Sequence, residues 1–433
     1  PDKEPNTLTI EQQQKLWDKT VAENVFVLCK TPMAKSITKR TLVGFRAASV
    51  NTHYFEDMVR QITQRPEKFI AKIKKGQSYW KANNNNDMKF NAIVGNPPYQ
   101  NTGGSGGTND APIYQGFCQI ASKISSRYVS LIIPSRWFTA GREHLIGEFR
   151  KQMLNNGKIQ ELHAFSESKE IFENVEIKGG LCYYLENKNH IGQTKYTYKR
   201  DEYIFKGLIV LNTFDIFIRE PILKNIVIKV EKNRLKVETG LVEEIISSNT
   251  PFGVPTNPKT SKKNSFKVSS KKTYEHNTLL YHIEKNKRKI EYIKLTELKK
   301  NIDDISRPKV FIPDGYGAGE SFPHQILGQP EFAERNSVCS QSYLYSAFDS
   351  EVEAKNFVHY FKTKFFRALV LSLKITQSAP NKVYKFVPLQ VFTENSDINW
   401  SQSIPEIDQQ LYKKYNLSEE EIVFIESMIK PMG

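Results

Sequence analysis

The sequence predicts an α/β domain built on a doubly wound sheet, followed by a mixed α+β domain of shorter strands. Between Glu23 and Leu185 short apolar runs alternate with helix-like stretches, the pattern of strand–helix layering. Beyond about Tyr198 the alternation stops. Brief strand-like runs (Val227 to Val230, Val310 to Ile312, Ser342 to Ala347) then stand between Gly/Pro turns. At 433 residues the chain is also too long for one ordinary core. The boundary is expected near Asn187 to Lys206, with a first domain over 1–195 and a second over 206–433.

The elements follow in order. Asp2 to Lys19 is polar and helix-prone, with Thr7 or Thr9 as its cap. Val25 to Leu28 reads as a buried strand, and Pro32 suits the first turn of the helix after it. Phe55 to Trp80 is helical and basic, and Asn83 to Asn86 is a polar connector. Phe90 to Val94 is a short apolar run expected to be a buried strand, broken by Gly95. Ala111 to Ser126 places Ile113, Phe117, Ile120 and Ile124 at helical spacing. Tyr128 to Ile133, Lys158 to Phe165 and Gly179 to Leu185 are strands, with a helix over Glu143 to Leu154 between the first two. Ser418-Glu-Glu-Glu421 is a capping-box pattern that opens a helix to Ile429.

The strand over Phe90 to Val94 delivers Asn96-Pro97-Pro98-Tyr99 as a loop at its C-terminal end, the edge where open α/β sheets bind ligands. This loop suits transfer to a planar amine. An exocyclic amine on an aromatic ring is a poor nucleophile because its lone pair is delocalised. The Asn96 side-chain oxygen and a neighbouring backbone carbonyl can accept its two hydrogens and draw the nitrogen towards a pyramid. Two prolines fix φ and extend the residue before them, so the carbonyl is aimed in advance. Tyr99 offers a π face on which a base can stack, worth roughly 1–3 kcal/mol. The bland alternative is a proline-rich surface turn. At ordinary composition such a tetrapeptide arises in about one chain of this size in a hundred.

N-P-P-Y behind an apolar strand resembles the catalytic motif of the adenine-N6 DNA methyltransferases. Tyr128-Val-Ser-Leu-Ile-Ile-Pro-Ser-Arg-Trp-Phe138 is similar to their next core strand and loop. Glu170-Ile-Phe-Glu-Asn-Val-Glu-Ile-Lys-Gly-Gly-Leu-Cys-Tyr-Tyr184 resembles the later motif whose aromatic, here Phe172, packs on the other face of the flipped base. Phe252-Gly-Val-Pro-Thr-Asn257, Asn336-Ser-Val-Cys339, Thr363-Lys-Phe-Phe-Arg367 and Tyr384-Lys-Phe-Val-Pro388 resemble the end of the gamma-type methylases. Those carry their own target-recognition domain, and some are fused to a nuclease as type IIG restriction–modification enzymes.

The resemblance implies a Rossmann-like class I methyltransferase sheet with S-adenosylmethionine as cofactor, double-stranded DNA as partner, and a second domain for target recognition. In that family an acid at the end of the second strand holds the cofactor's ribose. Here the aligned positions are Cys29 and Lys30, and the acid is absent. The family's Gly-rich cofactor loop precedes this unit. Fewer than thirty residues stand before it here, and they contain no G-x-G. Either the loop lies on an upstream segment or cofactor binding has been lost. The start at Pro1 without methionine favours a fragment.

Net charge is +15, and Lys259 to Lys300 alone holds thirteen Lys/Arg against four Glu. Such a stretch is the footprint of a polyanion partner, or else a solvated loop. Lys262, Lys263, Lys271, Lys272 and Arg288 are its candidate DNA contacts, with Tyr274, Tyr281 and Tyr292 interleaved. Arg136 and Arg142, in the loop after the Tyr128 strand, either touch DNA or line the pocket, while Trp137 reads as core. Asn101-Thr-Gly-Gly-Ser-Gly-Gly-Thr-Asn109 lacks the Gly-Lys-Ser/Thr of a phosphate loop and reads as a flap by the pocket or a plain linker. Gly315, Gly317 and Gly319 follow a strand and a Pro turn and are read as a loop.

Hydrophobic content of 39% with 12% aromatic excludes a disordered chain. Cys29, Cys118, Cys182 and Cys339 are scattered, which argues for a reducing, cytoplasmic setting and against a zinc site or disulfide scaffold. No run approaches a membrane span. No carboxylate pair, Ser/His/Asp set, metal-spaced histidines or nuclease motif stands out.

The expected function is adenine-N6 methylation within a restriction–modification enzyme, with the base flipped out of the duplex and an upstream nuclease or methylase segment in the same protein. The alternatives are a DNA-recognition module without catalysis, the methylase half of a bifunctional type IIG endonuclease, and a methylase for a protein glutamine or RNA amine.

Overall fold

The computed structural model describes residues 7–75, 80, 87–100, 111–139, 143–174, 177, 179–237, 239–261, 266–284, 287–317, 322–374 and 377–432. The chain divides into two compact units. The first comprises 1–135, 142–166 and 180–211, and the second comprises 136–141, 167–179 and 212–433.

The first unit begins with helix α1 (Ile10–Asn24). Its start is set by Thr9, whose side chain accepts from the Gln12 amide while Gln12 reaches back to the Thr9 amide. Strand β1 (Phe26–Cys29) leads into α2 (Pro32–Val43), capped by Thr31 with Pro32 in the first turn. Strand β2 (Asn51–Tyr54) pairs in parallel with β1 as a separate two-stranded sheet. Short helices α3 (Met58–Gln64) and α4 (Pro66–Ile73) break at Arg65, because Pro66 cannot donate a backbone hydrogen bond.

The main sheet holds β3 (Phe90–Gly95), β4 (Ser125–Pro134), β5 (Ile159–Phe165), β6 (Leu181–Asn187), β7 (Thr194–Arg200) and β8 (Tyr203–Ile209), in the order β3-β4-β6-β5-β7-β8. Helix α5 (Tyr114–Ile124) links β3 to β4, and α6 (Glu143–Asn155) links β4 to β5. β3 and β4 are parallel, as are β5 and β7, while β6 runs antiparallel to both β4 and β5, so the sheet is mixed. Strands β7 and β8 carry the first unit to Leu211, where the sequence suggested a boundary near Asn187 to Lys206. Their side chains explain this: Tyr196 and Tyr198 are buried, with rings stacked 6.4 Å apart.

β3 corrects an expectation. Among the described residues it lies at the edge of the sheet and pairs only with β4, so it is not a buried strand: Ile93 is half-buried against the cluster that includes Phe69, Trp80 and Ile120, while Val94 is 78% exposed.

In the second unit, helix α7 (Pro221–Val237) covers the run read as a strand at Val227 to Val230. Leu223, Ile226, Val227 and Val230 are all buried, and that spacing is helical. After the single turn α8 (Val242–Ile245) come β9 (Val268–Ser269), β10 (Thr278–Glu284), β11 (Lys287–Ile293), β12 (Lys309–Pro313), β13 (Glu331–Ala333), β14 (Ser337–Cys339) and β15 (Tyr343–Ala347). They form two sheets, β14-β10-β11-β9 and β13-β12-β15. Helices α9 (Glu351–Lys362), α10 (Lys364–Leu371), α11 (Ile404–Lys414) and α12 (Glu419–Met428) close the unit. The Ser418–Glu421 capping box starts α12 as expected.

Arg367 fastens this helical end. Fully buried, it donates to the carbonyls of Lys362, Thr363, Gln325 and Lys430 at 2.6–3.1 Å. Burial pulls its guanidinium down to about 10.

Candidate active site

Asn96 to Tyr99 leave the sheet where β3 ends. Asn96 is exposed, Pro97 is buried, and Pro98 and Tyr99 are half-buried. The loop is fastened behind the tetrapeptide: the Tyr99 carbonyl accepts from the Ile113 amide at 3.1 Å, and Gln100 bridges to Pro112. The Tyr99 hydroxyl is buried and has no hydrogen-bond partner among the described residues. Burial, with Cys182 of β6 nearby, pushes its pKa up to about 12. The phenol is therefore neutral at pH 7, with its hydroxyl buried while Asn96 is exposed.

Cys182 is fully buried, burial pushes the Cys118 thiol up to about 12, and Tyr184 beside it is raised well above its ordinary value. Glu186, buried on β6, accepts from Ser122 and Lys188.

Gly180, at the head of β6, is the residue that sequence reasoning missed. Its φ is +78°, and a Cβ there would lie 2.1 Å from the Phe165 carbonyl oxygen and 2.7 Å from that of Ser166. Its own carbonyl accepts from the Ser135 amide at 3.1 Å. Gly180 thereby ties together the ends of β4, β5 and β6, at the same edge of the sheet as Asn96. The Gly-Gly pair was the available signal.

The other expected residues are distributed as follows. Cys29 is buried with its thiol 3.7 Å from the Thr38 hydroxyl, and Lys30 is exposed. Phe172 is half-buried, its amide donating to the Ser168 carbonyl at 2.9 Å, and it groups with the second unit. The segment after β4 groups there too: Phe138 meets Phe217 edge-on at 4.8 Å and accepts from its amide. Within that segment Arg136 is half-buried and Trp137 is fully buried core. Lys271 and Lys272 are exposed. Arg288 is ion-paired with Glu331 at 2.5 Å and donates to the Gln329 carbonyl. Arg142, Lys262, Lys263 and the Asn101 to Asn109 stretch lie outside the described residues. All four cysteines are free and buried, and among the described residues no helix is long and apolar enough to cross a membrane.

The first unit is thus a mixed α/β sheet with N-P-P-Y at the C-terminal end of its strand β3. Residues 23–172, which contain that loop, match the family described as Eco57I restriction-modification methylase. The chain is also 38% identical over 109 residues to an uncharacterized adenine-specific methylase of Mycoplasma pneumoniae, covering 25% of this chain and 26% of the relative. The chain thus spans about a quarter of that relative's length. Among solved structures it is similar to the type IIL restriction-modification enzyme MmeI in complex with DNA (TM-score 0.45, 10% identity, 90% of this chain and 62% of that one). A nuclease-deletion mutant of the type ISP enzyme LlaGI with a DNA substrate mimic gives TM-score 0.44 and 9% identity over 96% of this chain and 49% of that one.

Proposed function

We propose that this chain is the base-holding and target-recognition part of a DNA adenine-N6 methyltransferase in a restriction–modification system. The observation that carries this is the exposed Asn96 amide on a proline-fixed loop, inside the segment that matches the methylase family. The target adenine is flipped out of the duplex, since its amino group is otherwise engaged in pairing. The Asn96 side-chain oxygen and the Pro97 carbonyl accept the amino hydrogens, which concentrates the lone pair on nitrogen. Tyr99 stacks on the ring, and Phe172 keeps the second stacking role that the resemblance gives it. The partner is double-stranded DNA, the substrate that the resemblance implies.

The class uses S-adenosylmethionine as methyl donor. The residues aligned with its ribose-binding acid do not fit it: Cys29 turns its thiol inward to Thr38, and Lys30 is a cation. We therefore assign the donor-holding half of the site to a segment outside residues 1–433. The edge of β3 that no described strand pairs, with Val94 in solvent, is the place for such a segment to add to the sheet. The same misfit supports a second reading, a DNA-recognition module without catalysis.

Two measurements test this. Calorimetry with S-adenosylmethionine is expected to detect binding by a chain extended beyond these residues and none by residues 1–433 alone; equal affinity for both would refute the division. In the extended protein, Asn96→Ala is expected to lower transfer of labelled methyl to duplex DNA by about 10²–10³-fold with melting unchanged. Undiminished turnover would sink the mechanism. Absence of transfer by the parent would leave the recognition module as the reading.

A further inference from the structure

The basic stretch of the second unit contains a built turn. Strands β9 and β10 flank β11 on opposite sides, so residues 270–277 must cross the end of β11. The crossing is pinned by hydrogen bonds. Ser269 Oγ accepts from the Lys271 amide at 3.2 Å and donates to the Lys271 carbonyl at 2.7 Å. The Thr273 amide donates to the His276 carbonyl at 3.0 Å, and the His276 amide donates to Thr273 Oγ1 at 2.9 Å. Glu275 is ion-paired with Lys294, the residue that follows β11. At the corner of this turn stands Tyr274, 99% exposed.

We infer that this turn is a DNA-contacting element, with Lys271 and Lys272 on phosphates and the Tyr274 ring against the sugar–base edge of the groove. The inference rests on the reading of duplex DNA as partner and names where this chain touches it. Burial does not explain an aromatic held wholly in solvent by a hydrogen-bonded turn. The charges around it are also available. Neither Lys271 nor Lys272 makes an ion pair with a described residue, and the turn's one acid, Glu275, is already neutralised by Lys294.

The hairpin of β10 and β11 is the rival contact on the same sheet. Its described tip cations are largely spent internally, Arg288 on Glu331 and Lys289 on Glu284, and DNA would have to displace those carboxylates. Two ammonium groups without a described carboxylate partner beside one exposed ring suit a polyanion whose backbone carries adjacent planar groups.

The test is fluorescence anisotropy of the chain with a labelled duplex over a series of KCl concentrations. Each phosphate contact contributes about 0.9 to the slope of log K against log salt. The double variant Lys271→Ala, Lys272→Ala is therefore expected to lower that slope by about 1.8. The control Lys299→Ala, Lys300→Ala removes the same charge from exposed positions outside the turn and is expected to change it little. Tyr274→Ala is expected to weaken binding about ten- to a hundred-fold at fixed salt, and Tyr274→Phe to retain most of it. Because these side chains are exposed, melting serves as the folding check.

Equal slopes for turn and control variants would overturn the inference and leave the DNA reading standing. So would undiminished binding by Tyr274→Ala. Tighter binding to an RNA duplex of the same sequence would overturn the choice of partner. No DNA binding by the wild type would remove the DNA reading itself.

Discussion

Gly180→Ala offers a test of how the edge of the sheet is assembled. At φ +78° an L residue meets its own carbonyl, at a cost of about 1–2 kcal/mol. The new methyl would also lie 2.1 Å from the Phe165 oxygen and 2.7 Å from the Ser166 oxygen. Comfortable contact needs about 3.5 Å, so the backbone must part by more than an ångström, at a further cost of about 1–3 kcal/mol. Gly157, after α6, separates the two terms: its φ is +65°, and nothing lies within 4 Å of its built Cβ. Gly157→Ala should therefore cost about 1–2 kcal/mol, the backbone term alone. The difference between the two variants, about 1–3 kcal/mol, isolates the clash. Urea denaturation followed by tryptophan fluorescence measures both. Equal destabilisation, within about 0.5 kcal/mol, would refute the claim that Gly180 is required for the close approach of β5 and β6.

Two other substitutions probe buried polar groups. Tyr99→Phe removes a hydroxyl that has no described partner, so it should leave stability unchanged or raise it, by up to about 1 kcal/mol. Because folding lifts the Tyr99 phenol to about 12, its contribution is complete below pH 10 and is lost as pH rises towards 12. The wild type should lose stability relative to Tyr99→Phe only in that window, as read by melting at stepped pH. A divergence below pH 9 would contradict the assignment. Arg367→Lys leaves at least two of four buried carbonyls without a donor, because one ammonium cannot span the guanidinium's fork. It should destabilise the second unit by about 2–4 kcal/mol, and a shift under about 0.5 kcal/mol would show the carbonyls satisfied otherwise.

Contiguous, local chemistry was legible in the sequence. N-P-P-Y can be recognised because proline geometry and a strand ending are encoded within a few residues, and the caps at Thr9 and Ser418 are three-residue relationships. The misread run at Val227 to Val230 was also local. β-Branched residues suggested a strand, yet Leu223 and Ile226 already set the helical period.

What only the tertiary structure decided was exposure and pairing, because both depend on what the rest of the chain brings alongside. Phe90 to Gly95 is apolar enough for a core strand, but a strand is buried only if partners flank it, and β3 has one neighbour among the described strands. Arg288 and Lys271 look alike in sequence; Glu331 reaches the first, and no described carboxylate reaches the second. A side chain's charge is written at its own position, but whether that charge is free for a ligand depends on a residue far along the chain, which only the folded backbone brings within a few ångströms.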